Sequence, residues 1–358
     1  MQKPIQGRGD PKMQNKNKEK GLKDWFLDNW TNKPIFSTGI ALVVMIILQT
    51  WSLGFDYDSF GSWFFTWTNN WVNILRNNAG VGLIALGMSF VIMSAGIDLS
   101  VGSTMVAVGA ALMMLLDRGS NGILINLGIE GIPAILIAVL LSLAFGYFLG
   151  NLNGILITRG GIPPFVVTLA TMKLYRSVTQ HFMQGYNPRV PVEFLPISNL
   201  QLGSYRIMPI LYWLLIAAVL YFISKRTTFG RQIIAVGSNE RSAKLSGVNV
   251  NKVKRRVYAV TGFLVACAAI IQVSRIGSMD YANAGSGYEM EAIAAAVVGG
   301  TSMSGGRGTV IGTILGVLII AVMNNLLNLL GVPPFLREAF KGLILIGAVL
   351  MQKKQKSV

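Results

Sequence analysis

The chain is poor in the residues that most soluble chemistry needs. It has one histidine (His181) and one cysteine (Cys267) in 358 residues. A lone histidine excludes a multi-histidine metal site. A lone cysteine inside an apolar run excludes an intrachain disulfide framework. Charge is scarce as well: Asp, Glu, Lys and Arg make up 13% of the residues, against roughly 25% in soluble domains. The charge present is one-sided, with 31 Lys and Arg against 15 Asp and Glu, a net of +16. No acid/base pair, nucleophile–base arrangement or metal cluster stands out, so no catalytic residue and no cofactor is assigned. What remains is apolar: 52% hydrophobic residues and a mean hydropathy of +0.54. Together these exclude a soluble globular enzyme, a disordered chain and a disulfide scaffold, and leave an all-α polytopic membrane protein.

A bilayer core of about 30 Å takes about 20 apolar residues per helix. Ten stretches qualify: 35–53, 80–95, 99–116, 132–156, 164–184, 209–224, 257–277, 290–303, 308–329 and 336–351. Lys and Arg gather on cytoplasmic loops. With both termini inside, the inside segments hold 22 of the 31 basic residues: eight in 1–34, nine in 225–256, three in the C-terminal tail, and Arg159 and Arg307. The organisation is then a cytoplasmic basic tail (1–34), a transmembrane domain (35–351) with a long cytoplasmic loop at 225–256, and a short cytoplasmic tail (352–358). The basic excess meets the anionic lipid leaflet at about 1 kcal/mol per residue. It does not point to nucleic acid, because no folded domain outside the membrane can present a groove. The first 34 residues lack the apolar core of a cleavable signal peptide. Within them Leu22, Trp25, Phe26 and Trp30 share a helical face, which fits either an interfacial helix or an extension of the first span.

Two polar breaks interrupt the apolar runs. The first is MSAGIDLSVGST, residues 93–104. A carboxylate in mid-bilayer costs about 2.5–3.5 kcal/mol on the insertion scale, so Asp98 does not face lipid. It either accepts free amides of a helix starting after it or contacts a solute, with Gly96 and Gly102 permitting the bend. The second is VVGGTSMSGGRGT, residues 297–309, crowded by Gly299, Gly300, Gly305 and Gly306. It begins like a phosphate loop, but Gly306-Arg307 stands where Lys-Ser/Thr belongs. A tight turn or discontinuous helix is the better reading, and irregular backbone at membrane depth marks a solute path. Polar residues of the flanking spans become path candidates: Ser94, Asp98, Ser100, Thr168, Thr171, Asn324 and Asn325.

Small-residue spacing supports close helix packing at Gly146, Gly150 and Gly154 and at Gly308, Gly312 and Gly316. The fifth stretch carries Lys173 and Arg176, too costly for a lipid-facing helix unless both snorkel. Lys173, Arg176 and Gln180 share one face, and Thr168, Thr171, Tyr175 and Thr179 another. The phrase Gly161-Ile-Pro-Pro-Phe165 returns as Gly331-Val-Pro-Pro-Phe335. The two lie on opposite sides of the membrane in this topology, as an inverted repeat of five plus five spans requires.

Within the long inside loop lies GSNERSAKLSGVNV, residues 237–250. Ser238 or Asn239 can cap a helix, Glu240 suits its first turn, and Gly247 suits the left-handed residue after its end. A helix of about two turns is marginal alone and needs a docking surface. The frame Glu240, Ala243, Gly247 resembles the coupling-helix motif of bacterial ABC importer permeases. The sequences around it, together with AGIDLSVGS at 95–103 and AIAAAVVGGTSMSGGRGTVIG at 292–312, look like the ribose/galactoside-type sugar permease family. The resemblance spans roughly residues 75–350. It departs from the family at Ala95, where a second glycine is common, at Ser242, where alanine is common, and in its long tail.

The resemblance implies a pore subunit in the bacterial inner membrane, without chemistry of its own. It would pair with a second permease subunit, two cytoplasmic ATPase subunits and an extracytoplasmic solute-binding protein that delivers a simple sugar. Residues Asn239, Glu240, Arg241, Ser242, Ala243, Lys244, Leu245, Ser246 and Gly247 would enter the ATPase. The alternative is an ion-coupled secondary transporter, which usually needs more intramembrane acids than Asp98.

Overall fold

The computed structural model describes residues 34–119, 122–186 and 188–356; the expected interfacial helix in the tail lies outside them. Among these residues the chain is helical, with an isolated β-bridge between Leu202 and Tyr205. In chain order the helices are α1 (Pro34–Ser52), α2 (Phe60–Met93), α3 (Val101–Leu116), α4 (Ile123–Asn126), α5 (Gly131–Thr158), α6 (Pro164–Met183), α7 (Pro196–Asn199), α8 (Met208–Arg226), α9 (Thr228–Ser238), α10 (Glu240–Leu245), α11 (Val250–Ile276), α12 (Tyr288–Val298), α13 (Val310–Leu329) and α14 (Pro334–Lys356).

A helix lies in each of the ten apolar stretches. Five of them (α2, α5, α8, α11 and α13) are long and apolar enough to cross a membrane, and residues 36–52 and α3 form shorter apolar helices. With 11 residues, α12 rises about 16 Å at 1.5 Å per residue, half a bilayer core. The largest departure from the sequence expectation is α2. It has 34 residues, where only 80–95 read as a span. Asn69, Asn70, Asn73, Arg76, Asn77 and Asn78 dilute its first half below any hydropathy signal. Local devices hold that half instead. Ser59 and Ser62 form a reciprocal capping box, Phe60, Trp63, Phe64, Trp67 and Trp71 stack along one stripe, and Trp67 Nε1 donates to Thr50 Oγ1 of α1 (3.1 Å).

At the centre stands α11, packed on α2, α3 and α5. Its crossing with α5 uses the glycine stripe: a Cβ on Gly150 would lie 2.3 Å from the Tyr258 carbonyl and 2.9 Å from Gly262 Cα. Any larger residue there separates the two helices. The helices α3 and α12 and the last half of α2 are buried nearly all round, as core helices should be. Leucine and phenylalanine on α1, α5, α6, α8 and α14 face outward, where lipid is their solvent. Of the two readings of α6, enclosure by the bundle is not what this chain shows: the helix packs by one face on α3 and α5 and leaves Leu174, Val178, Phe182 and Lys173 exposed.

Candidate functional site

The two breaks, far apart in sequence, meet at one end of the bundle against the last turn of α9. At the first break α2 stops at Met93, and Ala95 takes φ +60°, the left-handed exception among described non-glycine residues. Asp98 is 2% exposed. It does not cap α3 in the usual way: its Oδ1 accepts the Ser100 amide (2.9 Å) and the Ser100 hydroxyl (2.6 Å), while α3 starts one residue later without a side-chain cap. Asn153 of α5 donates to Ser100 Oγ (2.8 Å). Tyr175 of α6 donates to the Leu149 carbonyl (3.2 Å), 3.4 Å from Asn153 Oδ1, and Tyr258 of α11 donates to the Ile97 carbonyl (3.1 Å). The turn is thus tied by side chains to α5 and α11, and Tyr175 ties α6 to α5 beside it. A buried carboxylate is tolerated here because its Oδ1 is satisfied by protein donors and the group is shielded from lipid.

The second break is built from backbone. Gly300, Gly305 and Gly306 have φ of +88°, +80° and +72°, conformations open to glycine and strained for other residues. The Ser302 amide donates to the Arg307 carbonyl (3.0 Å) and the Gly305 amide to the Ser302 carbonyl (2.9 Å). Thr309 caps α13 by accepting the Gly312 amide (3.0 Å). Of the other glycines named in the breaks, Gly96 and Gly299 allow close approach to Tyr258 and Gly312. Gly102 faces the turn 277–287, where a Cβ would lie 2.1 Å from the Gly285 carbonyl. That turn hangs on Arg176, which donates to the carbonyls of Ala282 (2.8 Å) and Ala284 (3.1 Å). This is the use the fold makes of one cation of α6, while Lys173 lies exposed.

The candidate path residues fall into two groups. Ser94, Asp98, Ser100 and Thr168 gather at the first break, with Thr168 Oγ1 3.4 Å from the Ile97 carbonyl, and Thr171 lies one turn further along α6. Their hydroxyls are spent locally: Ser94 donates to Val91 (2.8 Å), Thr168 to Pro164 (2.9 Å) and Thr171 to Val167 (3.0 Å). Asn325 stands elsewhere, exchanging amide hydrogen bonds with Asn70 of α2 (3.3 and 3.1 Å), with Asn324 beside it. Asn153, Tyr175 and Tyr258 belong to the site and were not among the candidates. A polar Asn between Gly150 and Gly154 was the available signal.

Beneath the breaks lies α9, its Ile233 and Val236 buried, followed after Asn239 by α10. Asn239 caps α10 by accepting the Ser242 amide (2.9 Å). At the other end Gly247 is left-handed (φ +81°), with its amide to Lys244 (3.1 Å) and the Val248 amide to Ala243 (3.0 Å), a Schellman closure. Both cap expectations hold, and the helix is six residues rather than two full turns. It packs on α9 and α11, and Lys254 of α11 pairs with Glu240 (2.6 Å). Ala243 turns inward and is buried. Glu240, Arg241, Ser242, Lys244, Leu245, Ser246 and Gly247 are exposed. Leu245, 82% exposed, is a large apolar side chain with nothing among the described residues over it.

At the opposite end Asp117 organises the turn after α3. It accepts from Tyr186 OH (2.6 Å) and the Arg189 amide (2.7 Å), and Arg118 pairs with Glu193. Burial works to raise the Asp117 carboxyl. The hydrogen bonds from Tyr186 and from the amides of Arg189, Gly119 and Arg118 outweigh it and hold the group below the usual carboxylate range.

Residues 70–349 match the family described as the branched-chain amino acid transport system / permease component. The chain is 40% identical over 317 residues to the ribose import permease protein RbsC of Haemophilus influenzae, covering 87% of this chain and 90% of that protein. It is 39% identical over 291 residues to the ribose import permease protein RbsC of Bacillus subtilis, covering 80% and 86%. It is 35% identical over 289 residues to the galactose/methyl galactoside import permease protein MglC of Escherichia coli, covering 79% and 85%. No solved structure matches.

Proposed function

The chain belongs to the permease-component family of branched-chain amino acid transport systems, and on that premise we propose that it is the membrane-spanning subunit of an ATP-driven importer of a simple sugar, in the bacterial inner membrane. The family description names amino acids, but relatives similar over most of their length are named for ribose and galactose import. A pentose is therefore the first substrate to test. A further relative named a probable ABC transporter permease protein favours ATP-driven import over the ion-coupled alternative.

The observation that carries the reading is α10: a capped, exposed six-residue rod bearing an uncovered Leu245, fastened to α9 and α11. A helix this short is marginal by itself and suits insertion into an ATPase groove. The chain works with two such ATPase subunits, a second permease subunit that completes the pore, and an extracytoplasmic binding protein. Both termini are cytoplasmic, and ten helices cross or enter the bilayer.

An inverted repeat of five plus five is supported by two features. Gly161 and Gly331 are both left-handed, and each is followed by a proline pair whose second member opens a helix, α6 or α14. The packing also corresponds under that pairing: α3 touches α5 and α6 as α12 touches α13 and α14, and α2 touches α12 and α13 as α11 touches α3 and α5. The solute path runs past the two breaks, with Ser94, Asp98, Ser100, Thr168 and Thr171 on its near side.

The test is affinity purification of the chain from native membranes in mild detergent. An ATP-hydrolysing partner retained by the intact chain and lost with Leu245→Asp is the expected result. No ATPase with the intact chain would overturn the proposal.

A further inference from the structure

The last turn of α9 is in backbone contact with both breaks at once. A Cβ on Gly237 would lie 1.8 Å from the Met93 carbonyl oxygen and 2.7 Å from the Gly306 amide nitrogen. Met93 ends α2, and its carbonyl accepts the Gly306 amide (3.0 Å). On the other flank a Cβ on Gly305 would lie 2.7 Å from the Gly237 carbonyl and 2.9 Å from Ala95 Cβ. The contact leaves no side chain to flex between the three segments. It differs from ordinary helix packing, where side chains at an interface can shift rotamer and absorb a small displacement.

We propose that Gly237, with Met93 and Gly306, is the positioning junction through which movement of α10 is passed to both breaks together. This rests on the importer function proposed above. The lever is continuous: Asn239 ends α9 and caps α10, and Ile233 and Val236 seat α9 on the bundle. A displacement of α10 by a motor therefore reaches the end of α2 and the loop between α12 and α13 through backbone alone. Gly237 touches neither solute nor ATPase in this scheme; it sets the position of what does. A methyl group there separates α9 from both breaks and leaves the outward face of α10 as it was.

The experiment uses the chain purified with its ATPase partner in lipid nanodiscs, with Ser286→Cys as a reporter in the turn 277–287, where it is exposed. Two quantities are read: ATP hydrolysis, and the ATP-dependent change in maleimide labelling of the reporter. Gly237→Ala is expected to keep the ATPase bound and hydrolysing, while the labelling change per ATP hydrolysed falls about tenfold, within the span of a site-to-site coupling. Gly80→Ala is the control. It is another helical glycine, its added Cβ would meet Ala268 Cβ at an ordinary 3.8 Å, and the labelling change is expected to persist. Should Gly237→Ala fail to assemble, Val236→Ala decides, with a smaller loss of about threefold expected in the same ratio. A labelling change that survives intact while hydrolysis continues overturns the junction and leaves the importer function standing. An intact chain that holds no ATPase overturns the importer function itself.

Discussion

The two breaks are built from different materials. The turn after α2 is held by side chains: Asp98 and Ser100 within it, Asn153 of α5 and Tyr258 of α11 bound to it, and Tyr175 of α6 bound to α5 beside it. The loop after α12 is held by glycine backbone and by Thr309 at the start of α13. A side-chain staple resists displacement because each member loses a buried hydrogen bond when it moves. A glycine loop resists less, because many conformations are open to it. The first break is therefore the stiffer of the two, a pivot that turns as one body, and the second a hinge that bends.

Asp98→Ala attacks the pivot and has the largest expected effect. It strands the Ser100 amide and hydroxyl in a buried site, at about 3 kcal/mol, read as a lower melting temperature in detergent; a melting temperature within a degree of wild type would remove the pivot's distinction. Gly305→Ala attacks the hinge. The left-handed conformation and the Gly237 carbonyl 2.7 Å from the new Cβ set the loss at about 2 kcal/mol, and the same thermal melt ranks it below Asp98→Ala. Asn239→Ala removes the cap of α10 and lowers local stability by about 1 kcal/mol, seen as faster hydrogen exchange at residues 240–245 without a change in global melting. Ala95→Gly sharpens the comparison in the other direction. It relieves the left-handed alanine of the pivot and is expected to raise stability by about 0.5 kcal/mol.

Asp117 repeats the carboxylate-held turn beyond the last residue of α3, at the opposite end of the bundle. Its folded value lies below the ordinary one, so its contribution is complete above the unfolded value near about 3.9 and is lost as pH falls through the lower folded value. Hydrogen exchange in residues 184–195 should therefore be flat from neutral pH down to the carboxylate range and accelerate only below it. Asp117→Asn should abolish that acid-induced step.

Much of this was legible in the sequence, for reasons that differ by element. The caps of α10 were readable because Asn239 and Gly247 act within a few residues of themselves. The glycine stripe on α5 was readable as packing because only small side chains admit a crossing helix at Gly150. The first half of α2 was not readable, since its order comes from an aromatic ladder and from Asn70 pairing with Asn325, 255 residues away. The choice between the two readings of α6 was not legible either, because Arg176 finds carbonyls in a turn more than a hundred residues later. Nor could spacing reveal that Ala243 faces inward while Leu245 faces out, which makes Leu245 rather than Ala243 the position at which to probe docking.

In the proposed function, nucleotide energy from a separate subunit moves a sugar through this chain. The most direct test is uptake of labelled ribose, xylose and galactose by proteoliposomes holding the chain with its ATPase and binding protein. Accumulation of at least one of them that requires ATP and is insensitive to collapse of proton and sodium gradients is the predicted result. Accumulation that follows an ion gradient and proceeds without ATP would contradict it.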